Sequence, residues 1–184
     1  MHQVADVEVA KNIMDANKRL ADKNLKHLEE KDIFCVDFVG AIGSGKTTFA
    51  EKLRDRTGLP LYYLDAIWHK SDKTHISREE YDERLAEILG MEAWIIDGNY
   101  SRTLEVRMQA CDTIFLFDLP VEVCLQGATE RLGKARYDMP WIDMELAPRF
   151  KQEIEEFPEK NLPRIYKLLE QNKQNKQIVI FKSR

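Results

Sequence analysis

The stretch Gly40-Ala41-Ile42-Gly43-Ser44-Gly45-Lys46-Thr47-Thr48 constrains this chain more than any other. Gly40, Gly45, Lys46 and Thr47 fill the fixed positions of the G-x-x-x-x-G-K-[ST] pattern. Glycines let a backbone turn through conformations closed to other residues, so that its N–H groups converge on phosphate oxygens. The pattern therefore predicts a nucleotide-phosphate cradle made by Gly40, Ala41, Gly43, Ser44, Gly45, Lys46, Thr47 and Thr48. Lys46 would bring a point charge to the outer phosphates, and the Thr47 hydroxyl would ligate Mg²⁺. Such a loop needs a strand before it and a helix after it. Ile33-Phe34-Cys35-Val36-Asp37-Phe38-Val39 reads as a central parallel strand, and Thr48-Phe49-Ala50-Glu51-Lys52-Leu53 reads as a helix with Phe49 and Leu53 on one face. A glycine-rich turn that binds nothing is the competing explanation, and it leaves both flanks unexplained.

The 184 residues suffice for one domain with a full core, and 43% apolar with 33% charged residues describes an ordinary globular chain. A net charge of −4 gives no electrostatic footprint for nucleic acid, so direct DNA binding is not expected. No apolar run approaches membrane-spanning length and the N-terminus is polar, which predicts a cytoplasmic protein. Cys35, Cys111 and Cys124 are far apart and in apolar settings, as expected of free buried thiols rather than a disulfide framework or metal site.

Residues 1–31 precede the first strand. Val9, Ile13, Ala16, Leu20, Leu25 and Leu28 recur at helical spacing, which predicts a helical extension packed on the domain (residues 32–184) or on a second subunit of a homo-oligomer. A regulatory role for it is the alternative. Leu61-Tyr62-Tyr63-Leu64 forms a second strand ending at Asp65, at the ligand edge of such a sheet. Asp65 would hold the acceptor or a metal-bound water there, or else cap the next turn. Trp68 and His69 fall in a loop, with Trp68 either walling an acceptor pocket or filling the core, and His69 at the surface. Ser77-Arg78-Glu79-Glu80 is a capping box opening a helix to Leu89, stopped by Gly90.

Two apolar runs then end in carboxylates, Ala93-Trp94-Ile95-Ile96-Asp97 and Ile114-Phe115-Leu116-Phe117-Asp118. Asp97 is the better metal-side aspartate, because the turn after it delivers Arg102 to the same edge, whereas Asp118 leads into Leu119-Pro120 and would brace a helix start. A helix from Val121 to about Leu132 delivers Arg131, Lys134 and Arg136 in the segment 131–140. That segment is either a solvated loop or a basic lid over the phosphates. A helix over 141–157, ended by Pro158, a helix carrying Pro163 in its first turn, and the strand Ile178-Val179-Ile180-Phe181 complete the chain. Strands near 33–39, 61–64, 93–97, 113–118 and 177–181 alternating with helices predict a doubly wound five-stranded parallel α/β sheet of the P-loop NTPase class, with helices on both faces.

The phosphate loop, Leu64-Asp65, Trp94-Ile95-Ile96-Asp97-Gly98-Asn99-Tyr100-Ser101-Arg102 and Arg136-Tyr137-Asp138-Met139 together resemble the adenylate-kinase-related DNA topology modulation proteins. The resemblance covers residues 33–184. Asp97-Gly98 and Arg102 are also similar to the D-G-F-P-R turn of adenylate kinases, with Asn99-Tyr100-Ser101 between them. It implies a nucleotide-kinase-like fold with strand order 2-3-1-4-5, Asp97 in the metal's shell and Arg102 on the acceptor.

The function expected is ATP- and Mg²⁺-dependent transfer of the γ-phosphoryl group to a small acceptor, such as a nucleoside monophosphate. Lys46, Arg102, Arg131 and Arg136 would neutralise transferring charge, Thr47 and Asp97 would hold the metal, and Asp65, Trp68 and Arg102 would take the acceptor. The alternative is a nucleotide-dependent regulator of DNA topology or of a protein partner. Its candidate surface is the tail bearing Lys160, Arg164, Lys167, Lys173 and Lys176.

Overall fold

The computed structural model describes residues 34–183. The helical extension expected over 1–31 lies outside the described residues. Five strands form one sheet in the order β2-β3-β1-β4-β5, with every pairing parallel. They are β1 (Cys35–Gly40), β2 (Leu61–Tyr63), β3 (Trp94–Asp97), β4 (Thr113–Phe117) and β5 (Gln177–Phe181). Helices α1 (Lys46–Thr57), α2 (Leu64–Trp68), α3 (Arg78–Leu89), α4 (Leu104–Ala110), α5 (Val121–Glu130), α6 (Pro148–Lys160) and α7 (Leu162–Asn172) supply the crossovers.

The central strands are apolar on both sides because both sides are covered. Successive residues point to opposite faces. One face is aromatic: Phe38, Phe115, Phe117 and Phe181 gather around Phe49 of α1, with ring centroids 4.8–6.1 Å apart. The other face carries Val39, Ile96, Ile114 and Leu116 into a core completed by Leu85, Met108, Ile154 and Leu168 from α3, α4, α6 and α7. Phe49 therefore belongs to the sheet contact that fixes α1, and with it the phosphate loop, against β1.

Several boundaries differ from the sequence expectation. β2 stops at Tyr63, and residues 64–68 form the short helix α2, which puts Asp65 in a helical first turn and Trp68 at its end. Residues 141–147 are not helical. Helix α6 begins at Pro148, whose missing N–H costs nothing in a first turn, and it runs through Pro158 to Lys160. Asp118 does not brace the start of α5, where Pro120 occupies the cap. It instead accepts hydrogen bonds from Tyr166 (2.5 Å) and Lys182, tying α7 to the end of β5. Of the expected capping box the N-cap half forms: Ser77 Oγ accepts from the Glu80 amide at 3.0 Å, while the Glu80 carboxylate pairs with Arg84.

Candidate active site

The phosphate loop is shaped by close approach. Gly43 has φ 78°, and a Cβ there would stand 2.1 Å from the Cys124 carbonyl oxygen and 2.6 Å from the Ala128 amide nitrogen. Both are backbone atoms of α5, so no side chain fits. Gly45, at φ 90°, opens α1 with no side-chain cap on the first-turn amides. A helix start of this kind offers N–H groups and positive dipole to an anion. Ser44 is buried and Thr48 exposed, while Gly40 ends β1 beside Phe117.

Parallel pairing carries the end of β3 to this loop, with Phe38 opposite Asp97. Thr47 Oγ1 donates to Asp97 Oδ2 at 2.5 Å, and Lys46 Nζ lies 3.8 Å from Asp97 Oδ1. Asp97 is 3% exposed, and its Oδ1 accepts no hydrogen bond. Burial raises the pKa of the Asp97 carboxyl, while Lys46 and the Thr47 hydroxyl lower it. A hydroxyl and a carboxylate with a spare buried oxygen are the hard oxygen donors that Mg²⁺ takes. Among the described residues no three His, Cys, Asp or Glu side chains converge on a metal position. Mg²⁺ here would draw its remaining ligands from water and phosphates, its usual manner.

Beneath the site lies a pair that the sequence analysis did not single out. Arg107 Nη1 donates to Asp37 Oδ1 at 2.5 Å and to the Gly98 carbonyl at 3.1 Å, and both side chains are fully buried. Burial pushes the Asp37 carboxyl up to about 6 against the downward pull of Arg107. Asp97 adds a smaller upward push. The signal was available: a lone Asp in a buried strand requires a cation, and Arg107 falls on the apolar face of α4 between Leu104 and Met108.

The flank carrying Asp65, Trp68 and Tyr100 is aromatic and acidic. Burial, followed by the negative charge of nearby Asp65, raises the Tyr100 hydroxyl pKa. Trp68 stacks on His75 with centroids 4.5 Å apart and meets Tyr81 and Tyr100 edge-on at 5.6 and 6.4 Å. Arg102 points its fork at Asp82 of α3, with bonds of 2.8 and 2.6 Å, and lies over the Tyr81 ring. It is thus engaged away from Asp97.

Segment 131–140 folds back on itself. Arg136 lies 3.4 Å from Asp138 and 3.6 Å from Asp143. The Gly133 amide donates to the Asp143 carbonyl, and Trp141 Nε1 to the Asp143 carboxylate. Arg131 is half-buried; burial first, then the Arg136 charge, lowers its pKa, while Asp138, Asp143 and Asp65 oppose the shift. His69 is half-buried rather than on the surface, its ring edge-on to Trp141 at 5.1 Å. Burial lowers the His69 pKa. Asp138, not chosen from sequence, is 5% exposed and close enough to Asp97 to raise its pKa.

Among the described residues no disulfide joins Cys35, Cys111 or Cys124; Cys111 and Cys124 are buried as expected and Cys35 is half-buried, and no helix is long and apolar enough to cross a membrane. In the tail, Lys160 pairs with Glu156, Lys173 with Glu170, and Lys176 donates to the Gln109 and Cys111 carbonyls.

No protein-family model matches the chain. The structure is similar to shikimate kinase from Acinetobacter baumannii in complex with shikimate: TM-score 0.54, 15% identity, 87% of this chain and 88% of that one covered. It is also similar to shikimate kinase from Bacteroides thetaiotaomicron, at TM-score 0.50 and 15% identity, with 82% and 86% covered. In sequence, 55 residues (30% of this chain) are 56% identical to the "Probable hydrogenase maturation factor HypB" of Methanocaldococcus jannaschii. The match covers 25% of that protein, so the chain spans about a quarter of the curated relative's length. Strand order, loop and structural likeness together define the α/β P-loop NTPase fold.

Proposed function

We propose that the protein is an ATP-dependent phosphotransferase that moves the γ-phosphoryl group of ATP to a small acceptor. The observation that supports it most is the meeting of Lys46, Thr47 and Asp97 at the strand edge behind the phosphate loop. Phosphoryl transfer asks little covalent chemistry of a protein; positioning and charge neutralisation do the work. The residues 40–48 would cradle the phosphates, and Lys46 would shift its charge from Asp97 toward them. Mg²⁺, on Thr47 and in the shell of Asp97, would neutralise charge on the phosphate oxygens. Arg131 and Arg136 would cover the transferring group and exclude water, which otherwise competes as acceptor. Asp65, Trp68 and Tyr100 would bound the acceptor site, while Arg102, expected there from sequence, is held by Asp82. The segments Asp97–Arg102 and Arg136–Met139 support placing the protein with the adenylate-kinase-related group named above. A direct duplex-binding role would need an unshared cationic surface, and the tail lysines that pair with Glu156, Glu170 and backbone carbonyls do not favour one.

Calorimetric titration with ATP and Mg²⁺ tests this. Lys46→Ala should bind at least about tenfold more weakly than wild type, the equivalent of one lost charged contact of about 1.4 kcal/mol. Unchanged affinity together with unchanged ADP release would refute the assignment.

A further inference from the structure

We infer that the acceptor is a hydroxyl compound carrying neither phosphate nor carboxylate, received by Asp65 and Asp138 beside Trp68 and Tyr100. The inference rests on the phosphotransfer reading above and names its substrate class. On this flank the buried Asp138 Oδ1 lacks a hydrogen bond, as do the Tyr81 hydroxyl and His69 Nδ1. Asp138 is 5% exposed, and its Oδ1 receives no hydrogen bond; the Arg136 guanidinium lies at 3.4 Å, an ion-pair distance. A buried carboxylate oxygen left in that state is costly and calls for a donor. Asp65 is half-buried in the first turn of α2, and a carboxylate accepts hydrogen bonds through both oxygens. Hydroxyl or ammonium hydrogens of a ligand complete both groups, whereas an ionised phosphate or carboxylate group offers them no donor.

The cations point the same way. Arg102, the side chain expected to hold an acceptor phosphate, is bonded through both terminal nitrogens to Asp82. Arg136 is shared between Asp138 and Asp143. Lys46 and the lid arginines are the groups that ATP phosphates would engage. An acceptor bearing its own phosphate would bring about −2 of charge against the carboxylates of Asp65, Asp97 and Asp138, with Arg102 already bonded to Asp82. Trp68 and Tyr100 are half-buried and supply a flat apolar boundary for the carbon skeleton. In the transfer, the acceptor hydroxyl oxygen bonds to the γ-phosphorus as the bond to the β–γ bridging oxygen breaks. The hydroxyl proton passes to Asp65 or Asp138 and on to solvent, and ADP leaves.

The test uses the full chain with Mg²⁺ and ATP, and matched pairs that differ by one phosphate: adenosine with AMP, and cytidine with CMP. Glycerol, ribose and ethanolamine extend the hydroxyl arm, and ³¹P NMR reads transfer above the acceptor-free rate. Transfer to at least one phosphate-free compound, with both monophosphates below one tenth of that rate, is expected. A monophosphate as the faster acceptor overturns the inference. So does intact ATP·Mg²⁺ binding with transfer to none of the hydroxyl compounds. Absent ATP·Mg²⁺ binding sinks the phosphotransfer reading itself, so the two failures are told apart. With the best acceptor, Asp138→Asn should raise the acceptor KM at least tenfold and leave the ATP KM within twofold, and Asp138→Glu should recover part of the loss. Should Asp138→Asn fail to fold, Asp65→Asn carries the same expectation. A change confined to the ATP or Mg²⁺ dependence overturns the assignment of these carboxylates to the acceptor.

Discussion

Arg107 and Asp37 make the sharpest prediction. Both side chains are fully buried, 2.5 Å apart, and Arg107 also holds the Gly98 carbonyl next to Asp97. Arg107 Nε and Nη2 and Asp37 Oδ2 have no hydrogen-bond partner, so the pair is under-satisfied even when intact. Removing one member of a buried pair leaves an uncompensated charge and costs about 3–5 kcal/mol. Arg107→Met and Asp37→Leu should each lose that much. If the two losses were independent, the double variant would fall by about 6–10 kcal/mol, close to the whole stability of an ordinary domain. The double variant instead exchanges an ion pair for apolar contact, a change that is often neutral or stabilising by about 1–4 kcal/mol, here set against the lost bond to Gly98. It should lie within about 2 kcal/mol of wild type. Urea unfolding of the set measures this directly. The pH dependence adds a check of sign. Burial raises the folded Asp37 pKa from 3.8 to about 6, so its ionisation disfavours folding. The penalty is absent below the unfolded pKa and complete above the folded one. Without Arg107 the folded pKa rises further, so the Arg107→Met deficit should shrink on acidification from pH 8 to pH 5. Single variants that each cost below about 1 kcal/mol, as at an exposed pair, would refute the reasoning.

Gly43→Ala should cost about 2–4 kcal/mol in urea unfolding and abolish calorimetric ATP binding, because the added Cβ meets α5 backbone at a positive φ. Ser77→Ala should cost about 1 kcal/mol by losing the cap on Glu80, seen as a Tm lower by roughly 3 °C with ATP affinity unchanged. Arg136→Ala should lower kcat by on the order of 10³ with little change in ATP affinity, the pattern of a contact made in the transition state. Steady-state kinetics within a few-fold of wild type would reduce segment 131–140 to a solvated loop.

The sequence by itself determined the positions and parallel type of the strands, because a parallel sheet covered on both faces writes itself as continuous apolar runs such as Trp94–Asp97 and Thr113–Phe117. It determined the phosphate loop as well, because glycine spacing there is dictated by local backbone geometry. The meeting of Asp97 with Lys46 and Thr47 was not legible from the turn after it, because Arg102 leaves that edge for Asp82. Tertiary structure alone decided matters that depend on residues distant in the chain. Asp37 finds Arg107 seventy positions away. Asp118 turns to Tyr166 and Lys182 instead of its own helix, and Arg102 turns to Asp82. Gly43 is required not only by its own φ but by where α5 passes. Local periodicity records which face a side chain occupies, whereas the charge or backbone it meets there is set by how the crossovers pack. A charged residue's role follows from that meeting.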